Sequence, residues 1–109
     1  MPTDQYHEPP GDLTPEIRTF ARLAASLQEE AEAIGWYEQR MSLERNPEAK
    51  AIMEEAQEEE FKHFAMALEF LSRRKPKWRA VLQAVLFKPG DIVEHGAMGE
   101  QAEKDASDS

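Results

Sequence analysis

A glutamate and a histidine stand three residues apart in the middle of this chain, as Glu60-Phe61-Lys62-His63. Residues three apart in a helix lie on one face, so this spacing directs a carboxylate and an imidazole the same way. Both groups bind divalent metals, and this pair without a thiolate favours iron or manganese over structural zinc. The chain has no cysteine, which excludes thiolate ligands, disulfides and a cysteine nucleophile. The chemistry indicated is metal binding through oxygen and nitrogen ligands.

Helix start and stop signals divide the chain into three predicted helices. Residues 14–16 (Thr-Pro-Glu) and 46–48 (Asn-Pro-Glu) each combine a capping residue, a proline at the first helical position and an acid in the first turn. The basic residues 73–75 suit a helix C-terminus, where positive charge is favourable. This role explains the basic cluster better than nucleic-acid binding does. A short third helix is expected over residues 76–87. No segment alternates with period two, so the predicted fold is all-α, an antiparallel two-helix hairpin plus a short C-terminal helix.

Charge is unevenly distributed along the 109 residues. The net charge is −9, of which residues 1–13 carry −3 and residues 91–109 carry −5, so the middle is nearly neutral. We therefore predict a flexible N-terminal segment (1–13), a helical domain (14–90) and a disordered acidic tail (91–109). An acidic chain is a poor candidate for nucleic-acid binding, and no apolar run is long enough to suggest a membrane span. We expect a soluble protein of a reducing compartment.

Both long predicted helices carry an apolar stripe with charged residues at its middle. The first stripe consists of Phe20, Leu23, Leu27, Glu30, Ile34, Tyr37 and Met41. The second stripe consists of Ala49, Met53, Ala56, Glu60, His63, Ala67 and Phe70. Spacings of three and four are typical of helical packing faces. Each stripe therefore predicts a core-facing surface that is polar only at its centre.

The hairpin geometry brings the two polar centres together. With the turn near residue 46, Glu30 faces about position 62, between Glu60 and His63, with an axial offset of about 2–3 Å. Two carboxylates and an imidazole then converge in an apolar interface. Unpaired buried carboxylates cost several kcal/mol, so these groups need a compensating partner. A divalent metal is the natural one.

The number of ligands predicts an assembly. Di-iron carboxylate bundles combine a Glu from each of two helices with a Glu-x-x-His from each of two more. This chain supplies one of each, which is half a site. Two copies would supply four carboxylates, whose charge balances two Fe(II). Because so small a hairpin also buries little surface on its own, we expect at least a homodimer that forms a ferritin-like four-helix bundle with the metals at its interface.

Two other interpretations fit the same residues. Glu30, Glu60 and His63 could form a polar layer that fixes the register of a metal-free helical adaptor or oligomerisation module. The chain could also be a di-iron oxidase or peroxidase of the rubrerythrin type. The absence of cysteine excludes the rubredoxin centre of that family but not its di-iron chemistry.

Two blocks of the sequence resemble the encapsulated ferritins. They are residues 29–40 (EEAEAIGWYEQR) and 58–66 (EEEFKHFAM), and the resemblance extends over about residues 7–88. It implies a ferroxidase that oxidises Fe(II) to Fe(III) with dioxygen at a site formed by dimerisation, in a ring-shaped decamer of five dimers. It also implies two irons per dimer, with manganese, zinc or calcium as further ions at the same or accessory sites. The implied location is cytoplasmic, inside an encapsulin nanocompartment that stores the iron.

The resemblance implies roles for five residues at the predicted site. Glu30, Glu60 and His63 match the metal ligands of the ferroxidase centre. Trp36 and Tyr37 lie beside them, where they would act as catalytic residues or as interface anchors.

The resemblance also implies accessory carboxylates, which match Glu29, Glu32 and Glu59. Lys62 stands where a further acid is expected. The family typically ends in a short apolar targeting peptide, and residues 104–109 do not match it.

Overall fold

The computed structural model describes residues 5–106, and within this range all regular structure is helical. A 3₁₀ turn at Pro10–Asp12 precedes four helices: α1 (Pro15–Leu43), α2 (Pro47–Ser72), α3 (Pro76–Val85) and α4 (Ile92–Asp105). The prediction of an all-α fold with a hairpin and a short third helix is confirmed. The chain forms two compact units, so the predicted domain 14–90 is divided. One unit ends at Glu69 and the other begins at Phe70.

The start of α1 follows the predicted capping signal. The Thr14 hydroxyl accepts a hydrogen bond from the Ile17 amide at 3.2 Å, and a proline occupies the first turn. The guanidinium of Arg18 donates to the carbonyls of Pro10 and Leu13 at 2.9 and 2.8 Å. Residues 10–13 are therefore held against α1, which differs from the flexible segment predicted over 1–13. Residues 1–4 of that segment lie outside the described residues.

A three-residue connection, 44–46, reverses the chain between α1 and α2. Asn46 accepts from the Ala49 amide at 3.0 Å through its side chain, and its own amide donates to Glu44 at 3.0 Å. The second helix start predicted from the sequence is thus confirmed. So short a connection makes the two helices antiparallel neighbours.

One buried side chain of α2 makes two hydrogen bonds to α1. The Gln57 amide nitrogen donates to the Ile34 carbonyl at 3.2 Å and to a carboxylate oxygen of Glu38 at 3.0 Å. The register predicted from the turn position places residue 57 opposite residue 35. The observed contacts agree with it.

The two apolar stripes are only half covered. Every member of both is partly buried except Ala67, which is fully buried. Within the described chain, α1 contains no fully buried residue. The stripes are therefore the inward face of the hairpin, but one hairpin does not complete their burial.

The second unit begins at the C-terminus of α2. The Arg74 guanidinium donates to the Phe70 carbonyl at 2.7 Å and lies 3.5 Å from the centroid of the Phe70 ring. This contact agrees with a helix-terminus role for the basic cluster. α3 ends at Val85, two residues earlier than predicted: the backbone is already extended at Leu86, with φ −78° and ψ 143°, and Phe87 then adopts a positive φ of 63°.

The acidic tail predicted to be disordered is helical over Ile92–Asp105. Its start is capped by Asp91, whose side chain accepts from the Glu94 amide at 3.0 Å. Gly99 is buried against α3, where an added Cβ would lie 3.3 Å from a Val81 methyl group. The prediction was wrong for these residues because this helix depends on a glycine that permits close packing, whereas composition alone suggests a solvated tail. Residues 107–109 lie outside the described residues.

No helix in the described part of the chain combines the length and the apolar character needed to cross a membrane.

Candidate metal centre

Three predicted ligands converge between the hairpin helices. Glu30 projects from the middle of α1, and Glu60 and His63 project from the middle of α2. One ligand atom from each residue lies within 4.8 Å of the others. All three are more than two helical turns from a helix end, so ordered backbone holds each of them. Two helices thus present two carboxylates and one imidazole to a single point.

Burial differs among the three side chains. Glu30 and Glu60 are partly buried, whereas the imidazole of His63 is 44% exposed. The two carboxylates therefore define the inner side of the centre and the imidazole its outer side. In a single chain, the centre is therefore open to solvent on the histidine side.

The carboxylate of Glu30 lacks a favourable partner for one of its oxygens. Its Oε2 atom is buried and has no hydrogen-bond partner. Burial raises the pKa of Glu30, the neighbouring Glu60 carboxylate raises it further, and His63 partly opposes the shift. A buried carboxylate oxygen without a donor needs a positive partner. A cation at the centre would supply it.

The donor set fits a hard or borderline divalent metal. Two carboxylates and one imidazole match the ligands that iron and manganese accept in proteins. Three side chains occupy only part of the coordination sphere of one such ion. The centre in one chain is therefore suited to share its metals with a second set of ligands.

The accessory carboxylates remain outside this centre. Glu29 and Glu32 are exposed on α1. Glu59 is ion-paired with Lys62 at 3.0 Å, and its hydrogen bond to that ammonium lowers the pKa of Glu59. A carboxylate oxygen of Glu59 also lies 4.0 Å from the imidazole of His63. Lys62 thus forms an ion pair with a carboxylate that lies beside the histidine.

Trp36 and Tyr37 lie more than one turn beyond Glu30 on α1. Trp36 is exposed and lines a shallow depression with Gln39 and Arg40. The ring of Tyr37 is partly buried, and the Arg40 guanidinium lies 5.4 Å from its centroid, within range of a cation–π contact. Their catalytic roles stay predictions.

The sequence-based reasoning missed Gln57. Its side chain lies one turn before Glu60, and the residue is only 7% exposed. The sequence offers a weak signal for it, because a glutamine among Glu54, Glu55 and Glu58 resembles one more member of a solvated face. The signal that could have found it is its position beside the stripe, three residues before Glu60.

The sequences of two relatives align with most of this chain. One is a protein named "Ferritin-like protein" from Thermotoga maritima, 43% identical over 91 residues that cover 84% of this chain and 80% of that protein. Another is named "Encapsulated ferritin-like protein" from Rhodospirillum rubrum, 38% identical over 91 residues. That match also covers 84% of this chain, but only 65% of the Rhodospirillum protein, just under two thirds.

Structure and family comparisons agree with these relatives. The crystal structure of protein ne0167 from Nitrosomonas europaea superposes with a TM-score of 0.78 at 38% identity, over 82% of this chain and 98% of that chain. The sequence profile of the family described as EncFtn-like matches residues 5–89, which include both hairpin helices and all three converging ligands. With this match and the similarity to the Rhodospirillum protein, the chain belongs to the encapsulated ferritin-like family.

Proposed function

We propose that this protein is a ferroxidase that oxidises Fe(II) to Fe(III) with dioxygen at a di-iron site shared by two copies of the chain. The observation that carries the proposal is the buried, unpartnered Oε2 atom of Glu30 beside Glu60 and His63. Fe(II) is the substrate: two ions each give one electron to one dioxygen, which takes up two protons and leaves as hydrogen peroxide. Hard carboxylate ligands favour this direction because they stabilise Fe(III) more than Fe(II).

Each ligand has a distinct proposed role. Glu60 bridges the two ions, Glu30 binds one ion terminally, and His63 caps an ion on the solvent side. The half-exposed imidazole fits the last role, because it lies on the side of the centre that one chain leaves open. The two partly buried carboxylates fit the first two, because the positive charge of the ions compensates their desolvation.

The half-covered stripes support a dimer. α1 contains no fully buried residue, so the stripes of one chain keep apolar surface that a partner could cover. A second hairpin packed on the stripes would cover apolar surface and add the missing ligands in one step. We extend the proposal to a homodimer that assembles into a ring-shaped decamer.

The unpartnered oxygen argues against a metal-free polar layer. Residues that fix register in a helical interface do so through hydrogen bonds to one another. Glu30 leaves an oxygen buried without any such bond. An adaptor would carry this cost without benefit, whereas a metal centre removes it.

The family name suggests where the Fe(III) is stored. One relative is named as encapsulated, and we propose that this chain likewise acts inside an encapsulin shell that stores the Fe(III). Co-expression of the chain with an encapsulin from the same genome tests this step. Sedimentation of the chain with the shell is expected, and its absence from purified shells would contradict it.

Stopped-flow absorbance of Fe(III) formation tests the chemistry. Wild-type protein is expected to oxidise Fe(II) in air faster than the protein-free blank, whereas Glu30→Gln and His63→Ala should fall to the blank rate. Glu55→Gln is the control, because it removes an exposed carboxylate of α2 to which no role at the centre is assigned. A wild-type rate equal to the blank would refute the ferroxidase.

Size-exclusion chromatography with light scattering tests the shared site. Four carboxylates meeting at one layer repel each other, and Fe(II) neutralises them, so anaerobic Fe(II) should shift the protein to larger assemblies. A chelator should reverse the shift. An oligomeric state that is indifferent to Fe(II) would contradict the coupling between metal and assembly.

A further inference from the structure

We propose that Gln57 is a positioning residue for the metal centre. Its two hydrogen bonds hold α2 against α1 in the register that places Glu60 and His63 opposite Glu30. The inference rests on the proposed function, since it assigns Gln57 a part in the proposed reaction. Gln57 would touch neither substrate nor dioxygen, and it would act only through the placement of the ligands.

The hydrogen bonds of Gln57 are suited to fixing a helix in place. One acceptor is the main-chain carbonyl of Ile34, which cannot move without moving α1 itself. The other is a carboxylate oxygen of Glu38, so that bond is strengthened by charge. The amide nitrogen has two hydrogens, and these two acceptors use both. Because the residue is buried, loss of either bond leaves a polar group unpaired away from water.

Two members of the clamp formed by Gln57, Ile34 and Glu38, namely Gln57 and Ile34, lie within about one helical turn of a ligand of the centre. Gln57 precedes Glu60 by three residues, about 4.5 Å along the axis, and Ile34 follows Glu30 by four residues, about 6 Å. A slip of one residue between the helices displaces the ligands by about 1.5 Å. Such a slip would break both bonds of the clamp and separate the ligand atoms together.

The rest of the interface does not define the axial position well. Three of the seven members of the second stripe are alanines, at positions 49, 56 and 67. Small apolar contacts are non-directional and permit sliding. Glu30 does not fix its own position through this oxygen, because its buried Oε2 atom has no hydrogen-bond partner. The directional contact next to the centre is therefore the one that sets the distance between its ligands.

Four variants and a control test the proposal in the full chain. Gln57→Leu keeps the size and removes both donors. Gln57→Glu places an acceptor opposite two acceptors, and combining it with Glu38→Gln restores one hydrogen bond in the opposite direction. Glu38→Ala removes one bond by changing an exposed side chain, so it leaves the fold intact. Gln101→Leu is the matched control, since Gln101 makes one local bond to Asp105 within α4.

The readouts are steady-state Fe(II) oxidation and the ligand-field absorption of bound Co(II), with circular dichroism and light scattering as checks of fold and assembly. We expect kcat to fall about 10- to 100-fold in Gln57→Leu and Gln57→Glu, because displacements near 1 Å have effects of that size. Their Co(II) bands should shift in position and intensity while helix content and assembly persist. Glu38→Ala should show a smaller loss. The Gln57→Glu/Glu38→Gln pair should recover most of the activity, and Gln101→Leu should match wild type.

The outcomes separate this inference from the proposed function. A wild-type kcat and Co(II) spectrum in Gln57→Leu would overturn the positioning role and leave the ferroxidase standing. Should Gln57→Leu fail to fold, an unchanged kcat and spectrum in Glu38→Ala, together with no recovery in the double variant, would overturn it instead. Failure of wild type both to bind Co(II) and to oxidise Fe(II) would refute the proposed function, and the inference with it.

Discussion

Replacement of Glu30 by glutamine should stabilise the metal-free protein and abolish the proposed oxidation of Fe(II). Glu30 and Glu60 present oxygens within 4.8 Å of each other, and one oxygen of Glu30 is buried without a partner. In the absence of metal this arrangement costs free energy. An uncharged amide of nearly the same shape removes the repulsion and can donate a hydrogen bond to Glu60.

The size of the gain follows from Coulomb's law. Two unit charges 4.8 Å apart repel by about 0.9 kcal/mol in water and about 3.5 kcal/mol at an effective dielectric constant of 20. The centre is partly exposed, so screening favours the lower part of this range. We expect the free energy of unfolding of the metal-free protein to rise by about 1–2 kcal/mol in Glu30→Gln. For a chain of this size, each kcal/mol raises Tm by about 4–8 °C.

The gain should depend on pH with a defined sign. The pKa of Glu30 is raised above its ordinary 4.5, so the folded state binds more protons than the unfolded state between these two pKa values. The free energy of unfolding of wild type therefore falls as pH rises through this interval. Glutamine does not titrate, so its advantage should be absent below about pH 4.5 and complete above the raised pKa.

Thermal unfolding with a chelator present, at one protein concentration and across a pH series, measures this difference. Glu29→Gln is the control, since the same change on the neighbouring exposed side chain should alter the free energy of unfolding by less than about 0.5 kcal/mol. A Glu30→Gln protein that is less stable than wild type, or whose advantage does not vary with pH, would refute the reasoning.

The packing of α4 supports two further predictions, both measured by thermal unfolding and by hydrogen exchange of residues 92–105. Gly96→Ala should stabilise by about 1 kcal/mol, because an added Cβ meets nothing within 4 Å. Gly99→Ala should not show this stabilisation, because its Cβ would press against Val81. Gly99→Leu should lower the free energy of unfolding by about 1–3 kcal/mol. Equal effects at the two glycines would contradict the close packing. Asp91→Ala should cost about 1 kcal/mol by removing the cap of α4, and unchanged exchange rates at residues 92–95 would show that the cap is unimportant.

Much of the hairpin could be predicted because its signals are local. The Thr14 and Asn46 caps and the prolines that follow them fix both helix starts, and the structure shows the predicted capping bonds. A short connection and a constant rise per residue then predict the register to within a few ångströms. The convergence of the three ligands follows from these two facts, so it required no tertiary information.

The features that were missed depend on contacts between distant residues. Gln57 matters because two groups on α1 lie opposite it, and its position beside the stripe is only a weak local signal that separates it from an exposed glutamine. α4 depends on Gly99 approaching Val81, whereas glycine in an acidic segment otherwise argues against a helix. The early end of α3 comes with extended backbone at Leu86 and a positive φ at Phe87, a conformation that a bulky residue rarely adopts.

The half-covered stripes have a consequence for how the reaction is controlled. If a second copy completes each site, the number of working sites grows with the square of the chain concentration while dimers are scarce, and in proportion to it once they dominate. Newly made chains at low concentration would then form little Fe(III) each, and the yield per chain would rise as more of them paired. The amount of protein synthesised would itself set the activity of each chain, with no regulator other than the pairing of two chains.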